Sequence, residues 1–236
     1  MGRSSPSSRT VGHVALGRAG YAEILALQRR LRDRRTEGTI GDLVLTVEHE
    51  PTFTVGRRGS RANLLVSPEA LDAAGIRVFE VERGGDITYH GPGQLVVYPI
   101  LDLRGYGRDL RGYVERLEEA TIRTLARFGI DGWRDSAMPG VWVDGGKIAS
   151  IGVHVRRWIT VHGLALNLDV NRDHFAMIRP CGLDVDAVSM SDLVDGAVDP
   201  ATVRDAFLEE AADLFGWSVA TADLGEIEGG IDGDGS

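Results

Sequence analysis

Apolar residues recur along this chain in two rhythms, and the places where one gives way to the other mark its elements. Residues 11–16, 42–48 (DLVLTVE), 52–55 and 77–82 are short runs rich in branched and aromatic side chains, which predicts strands. Tyr21, Ile24, Leu25, Gln28 and Leu31 share one face at helical spacing, so a helix runs from about residue 21 until Gly38 stops it. Leu110, Tyr113, Val114, Leu117, Thr121, Leu125 and Phe128 give a clearer helix that closes at Gly129. A third carries its own start signal: Asp199 at the cap, Pro200 at the first turn, then Val203, Phe207, Leu208, Ala211, Leu214 and Phe215 on one side. Shorter helices are predicted at 68–74 and 173–178. Asp144-Gly145-Gly146 joins 141–143 to 147–155 as a hairpin, because Asp-Gly supplies the positive φ angles of a tight turn. Residues 160–170 read as the next antiparallel strand and 94–101 as a buried one. Residues 83–93, with four glycines and a proline, read as a loop.

Strands that neighbour one another in hairpins, with three longer helices among them, predict an α+β fold: a single domain with a central mixed, largely antiparallel sheet flanked by helices. It spans residues 11–220, between a loose tail at 1–10 and an acidic, Gly-rich end at 221–236 that is expected to be disordered. At 236 residues and 43% apolar, the chain is long enough for a real core. No run reaches the roughly 18 apolar residues of a membrane helix, and the first ten residues lack an apolar leader segment. A soluble cytoplasmic protein is expected, with no membrane partner. One cysteine excludes an internal disulfide or a multi-cysteine metal site.

The formal net charge is −9, unevenly spread. Residues 182–236 hold fourteen carboxylates against one basic residue, Arg204, while everything before them is mildly basic. That argues against nonspecific nucleic-acid binding and leaves the front part free to meet an acidic protein or an anionic ligand.

Among 26 basic residues Lys147 is the only lysine. Arginine serves wherever plain positive charge is wanted. An amine can exchange protons near neutral pH where a guanidinium cannot, so Lys147 is a candidate for chemistry, unless the compositional bias merely left it behind. Cys181, in Arg-Pro-Cys-Gly, is either a small buried apolar residue or a nucleophile; a proline before it and a glycine after it narrow the first reading. His90 and His162 each fit a base, a hydrogen-bond donor or a structural histidine. Arg83-Gly84-Gly85 fits a backbone nest for a carbonyl or anion, or a flexible turn. Gly145-Gly146-Lys147 is not a phosphate loop, since Val141 and Ile148 occupy positions where that motif needs glycine and a hydroxyl residue. The six histidines show no ligand spacing, so no metal is expected.

Taken together, RGGDITYHGPGQLVVYP (83–99), GGKIASIGVHV (145–155), HGLALNLD (162–169) and RPCGL (179–183), in this order and after EHEPTFTVGR (48–57), resemble the lipoyl(octanoyl) transferases. The likeness covers roughly residues 12–215. Each glycine motif alone is weak, and the combination is specific. The resemblance implies the fold of biotin and lipoate protein ligases, no cofactor, and transfer of octanoyl from octanoyl-acyl carrier protein to a lysine of lipoyl domains. The acceptors would be the E2 subunits of 2-oxoacid dehydrogenases and the glycine cleavage H protein, and the enzyme is expected as a monomer.

In such enzymes the Pro-Cys-Gly cysteine forms a thioester and the Gly-Lys-Ile lysine is its partner, positions taken here by Cys181 and Lys147. The only cysteine and the only lysine therefore fall on the two reactive positions. The resemblance also implies a substrate pocket made by Arg83, Gly84, Gly85, Asp86, Ile87, Thr88, Tyr89 and His90, by Ser150, Ile151 and Gly152, and by Gly163, Leu164 and Ala165. Arg57, Arg58, Arg61, Arg156 and Arg157 are candidates for a docking face toward an acidic carrier, or plain solvated charge. Three rivals remain: an ATP-dependent ligase of the same fold, a cysteine hydrolase using Cys181 with His90 or His162, and a non-catalytic acyl-binding protein.

Overall fold

The computed structural model describes residues 8–135, 138–179 and 186–229. In chain order its elements are β1 (Arg9–Ala19), α1 (Tyr21–Glu37), β2 (Asp42–His49), β3 (Thr52–Val55), α2 (Pro68–Ala73), β4 (Arg77–Glu80), β5 (Ile87–His90) and β6 (Gln94–Ile100). There follow α3 (Leu110–Ala126), β7 (Trp133–Arg134), β8 (Gly140–Val143), β9 (Gly146–Arg156), β10 (Ile159–Asn167), α4 (Arg172–Phe175), α5 (Pro200–Phe215), β11 (Trp217–Thr221) and α6 (Leu224–Gly229). Eight strands form one sheet in the order β11-β1-β2-β6-β10-β9-β8-β7, parallel only where β1 meets β11 and β2. The fold is α+β, a mixed and largely antiparallel sheet flanked by helices.

Both faces of the large sheet are covered, which explains why its central strands read as nearly continuous apolar runs. Alternate residues of β6 divide between the two sides. Leu95 and Val97 join Tyr113 and Leu117 of α3 and Phe207 and Ala211 of α5, while Val96 and Tyr98 join Ile24, Leu27 and Leu31 of α1. The helix ends follow their sequence signals. Asp199 accepts from the backbone of Ala201 and Thr202, and Asp109 caps α3 through the Gly112 amide at 2.9 Å.

The sequence predicts one sheet, and the structure has two. Residues 87–90, inside the predicted loop, form β5, which pairs antiparallel with β3, while β4 pairs parallel on β3's other side. This small sheet has its own core, in which Phe53, Ile87 and Tyr89 meet Leu71 of α2, Ile178 and Phe175 of α4. Glycines on both sides of Ile87–His90 hide a strand too short to show alternation. The structure also differs at the acidic end. β11 ends at Thr221, and after residues 222–223 Leu224–Gly229 is helical, held because Leu224 and Ile227 pack on the α1 side and Arg30 binds Glu228. Among the described residues no helix is long and apolar enough to cross a membrane.

Candidate active site

A turn after β3 links the small sheet to the large one. After β3, the amides of Gly56, Arg57 and Arg58 donate to the carbonyls of Asp86, Arg83 and Gly85, which zips residues 56–58 to 83–86. The Gly84 amide then donates to Val153 of β9 at 2.9 Å. The turn lies so close over β9 that a Cβ on Gly152 would sit 2.9 Å from the Gly84 carbonyl, nearer than real Cβ contacts allow. Arg83 is buried beneath it, its guanidinium donating to the Thr54 hydroxyl at 2.9 and 3.1 Å and to the Gly84 carbonyl at 3.0 Å.

Between this turn and the large sheet lies a mostly apolar cavity of about 360 Å³. That is room for one small molecule or an acyl chain, near the low end of the roughly 300–1,000 Å³ of ligand pockets. It crosses the sheet from Trp142 of β8 and Lys147 of β9 to Tyr98 of β6 and Tyr21 of α1. Three strand spacings separate β8 from β6, or about 14 Å.

At the β8 end, the Lys147 Nζ donates to the Pro139 carbonyl at 2.7 Å and stands 5.2 Å from the centre of the Trp142 ring. Its room depends on Gly140, where a Cβ would lie 2.4 Å from the Lys147 Cε. The backbone of Lys147 is paired as well: its amide donates to Asp186 at 2.9 Å, and its carbonyl accepts from Val188 at 3.1 Å. Asn167 donates to the Val188 carbonyl and accepts from Gln94, so the segment 186–188 is tied to β10 too.

The other end is built of uncharged polar groups. His90 donates through Nδ1 to Gln94 at 2.9 Å, and burial holds its imidazole well below the ordinary pKa, with His49 and Arg83 adding to the effect. His49 hydrogen-bonds the Tyr98 hydroxyl at 2.8 Å and is pushed down to about 4 by burial. Burial raises the phenols of Tyr21 and Tyr98. His162 is 1% exposed, and both its ring nitrogens lack a hydrogen-bond partner. It occupies a left-handed backbone conformation, φ 60°, with its amide donating to Gln28 at 2.7 Å. Its Nε2 faces Glu82 at 3.9 Å, and burial keeps it neutral.

The structure brings Arg83, Gly84, Gly85, Asp86, Ile87, Thr88, His90, Ser150, Ile151, Gly152, Gly163, Leu164, Ala165 and Lys147 to this one cavity. Tyr89 is not among its walls. Alternation along β5 turns the ring into the small-sheet core, where its hydroxyl meets His174 at 2.8 Å. Cys181 lies outside the described residues. Sequence reading missed several walls: Tyr21, Tyr98, Leu110, Val114, Trp142, Asn167 and Phe175. Tyr98 and Asn167 stand inside the motifs already singled out and could have been taken from them. Leu110 and Val114 carry only the signal of a helix face. Of the five docking arginines, Arg58 reaches the cavity rim, and Arg61 is paired with Glu80 at 2.8 Å.

A domain of one large and one small sheet with an apolar cleft between them has the lipoate ligase fold. A lipoate-protein ligase A solved with ATP superposes with a TM-score of 0.72 at 15% identity, covering 94% of this chain and 92% of that one. A bi-partite lipoate protein ligase of Thermoplasma acidophilum gives 0.72 at 15% identity over 94% and 90%. Residues 20–212 match the lipoyl protein ligase A/B catalytic domain family. An octanoyltransferase of Solibacter usitatus is 49% identical over 178 residues, 75% of this chain and 81% of that protein. One of Syntrophobacter fumaroxidans is 47% identical over 214 residues, 90% and 94%. The chain belongs to the lipoyl protein ligase A/B catalytic domain family, among the octanoyltransferases, and is an acyltransferase.

Proposed function

We propose that this acyltransferase moves an octanoyl group from octanoyl-acyl carrier protein to the modifiable lysine of lipoyl domains, through a thioester on Cys181 with Lys147 as its proton partner. The observation that supports it is Lys147 itself. The only lysine of the chain stands in the wall of an apolar cavity, and its backbone is hydrogen-bonded to Asp186, five residues beyond the only cysteine.

In the first half-reaction the Cys181 thiol gives its proton to the Lys147 amine, and the sulfur adds to the octanoyl carbonyl. The C–S bond to the carrier breaks, and the departing thiolate takes the proton back from Lys147. One thioester replaces another, so no nucleotide is consumed. In the second half-reaction the acceptor amine adds to the enzyme thioester, Cys181 leaves as thiolate, and the proton lost by the amine passes to the sulfur by way of Lys147. The hydrogen bond to Pro139 suits this role, since it occupies one N–H and fixes where the nitrogen lone pair is directed when the amine is neutral.

The cavity wall selects by length. Burying methylenes gains about 0.8 kcal/mol each, so an eight-carbon chain gains up to roughly 5 kcal/mol. The neutral imidazoles and phenols at the far end limit how far the chain can extend.

Intact-mass measurement after incubation with octanoyl-acyl carrier protein, without ATP, tests the reading. The expected result is one octanoyl adduct, absent in Cys181→Ser and passed on to an added lipoyl domain. Acylation of the domain only from free octanoate with ATP would make the enzyme a ligase and overturn the covalent step.

A further inference from the structure

Most arginines of this chain are neutralised by a neighbour. Arg29 holds Glu82, Arg30 holds Glu228, Arg61 holds Glu80, Arg104 holds Asp102 and Arg127 holds Glu209. Among the described residues the exposed guanidiniums of Arg57, Arg58, Arg156 and Arg157 meet no carboxylate and no ring. They are also connected through the fold. Arg57 and Arg58 sit on the turn zipped to residues 83–85, and Gly84 of that segment is bonded to Val153 of β9. Along β9, Ile151, Val153 and Val155 pack toward the α3 side, so Gly152, His154 and Arg156 face the opposite way, under the turn. Arg57 is near enough to depress the His154 imidazole, after the larger effect of burial and against the pull of Glu82. Arg156 is two residues further, about 7 Å along the same face.

The strip ends at a strained hairpin. Arg157 and Trp158 form the two-residue turn between β9 and β10, with φ 53° and 69°. Such turns favour Asn-Gly, and placing two bulky residues in the left-handed region costs about 1–2 kcal/mol each. The strain puts an arginine and a 38%-exposed tryptophan at the tip, the residue types that dominate binding energy at protein interfaces. The other end of the strip is Arg58, on the cavity rim.

We infer that an acidic protein carrying the acyl thioester docks along this strip, its carboxylates on Arg57, Arg156 and Arg157 and its acyl arm passing Arg58 into the cavity. The inference rests on the acyl-transfer reading above. Charge complementarity selects the occupant: four exposed arginines with no carboxylate partner among the described residues, grouped on one side of the turn and hairpin of a chain whose net charge is acidic, fit a partner presenting a short run of carboxylates. Arg61, with its own carboxylate, takes no part.

The test compares octanoyl-acyl carrier protein with octanoyl-pantetheine, which enters the same cavity without a protein surface. In a triple variant with Arg57, Arg156 and Arg157 each changed to Glu, the ratio of kcat/KM for the two donors is expected to fall at least tenfold. The loss should lie in KM, and the steep salt dependence of the wild type should vanish with it. Arg77→Glu is the control. Arg77 is equally exposed, but it is aligned with Thr52 at the opposite end of β3 from Arg57, about 16 Å away. An unchanged ratio, or an equal fall in Arg77→Glu, overturns the docking site.

Arg157→Gly separates docking from folding. It removes the charge and relieves the positive φ, so it is expected to raise the Tm while lowering carrier turnover severalfold; unchanged carrier turnover counts against the strip. A wild type that transfers from neither donor brings down the acyl-transfer reading and this one together. A wild type active on both donors with an unmoved ratio brings down this one alone.

Discussion

The two ends of the cavity are made by different means. At the β8 end a flexible amine side chain is positioned by backbone: Lys147 by the Pro139 carbonyl, by the missing Cβ of Gly140, and by two backbone hydrogen bonds with residues 186 and 188. At the α1 end, stiff aromatic and imidazole groups position one another, His90 on Gln94, Gln94 on Asn167 and His49 on Tyr98. The contrast separates reactivity from shape. A substitution at the first end should change the rate with little effect on folding, and one at the second should change stability and substrate length with less effect on chemistry.

The largest effect is expected from Lys147→Arg. It keeps the positive charge and a donor for Pro139 but loses the proton shuttle, which is worth about 10²- to 10⁴-fold. Single-turnover transfer should fall by that factor, with the Tm within a few degrees of the wild type. A variant retaining more than a tenth of the rate would assign Lys147 to positioning only.

Acid should act on the other end. Unfolded, His49 takes up a proton below about pH 6.5, whereas folded it stays neutral until about pH 4. Between these values the unfolded chain binds more protons, so stability falls as pH falls. His49 alone costs about 2 kcal/mol by pH 5, with His90 and His162 acting in the same direction. Urea midpoints between pH 7.5 and 5 should show this slope, flatter in His49→Gln. An identical slope in the variant would move the acid sensitivity elsewhere.

The smallest effect concerns length. Hexanoyl donors should lose about tenfold in kcat/KM from two missing methylenes. Leu164→Ala, which hollows the wall between the two ends, should raise the decanoyl-to-octanoyl ratio severalfold. Steady-state kinetics with the three donors decides it.

Much of this contrast was visible in the sequence, for a physical reason. Lys147 stands out because arginine replaces lysine everywhere else, and Gly152 and Gly163 stand out because close backbone approach leaves glycine no substitute. The helices carried caps and stripes that their packing obeys. The small sheet escaped notice because its strands are four residues long and β5 lies among glycines, so no alternation could develop. Tyr89 was grouped with the pocket because a motif is contiguous, whereas a strand sends alternate residues to opposite sides. Leu110 and Val114 reach the cavity only because α3 crosses the sheet above it, a relation between distant segments that local pattern does not encode.

Strand β11 lies parallel to β1, Arg9 opposite Trp217 through His13 opposite Thr221, at the outer margin of the large sheet. Without it, β1 would present a long row of free amides and carbonyls beside the apolar side chains of Val11 and Val14. Such a row invites pairing with the same row on another molecule. The last strand, with the short helix that follows it, thus acts as a guard against aggregation, and a chain stopped at residue 216 should sediment as oligomers.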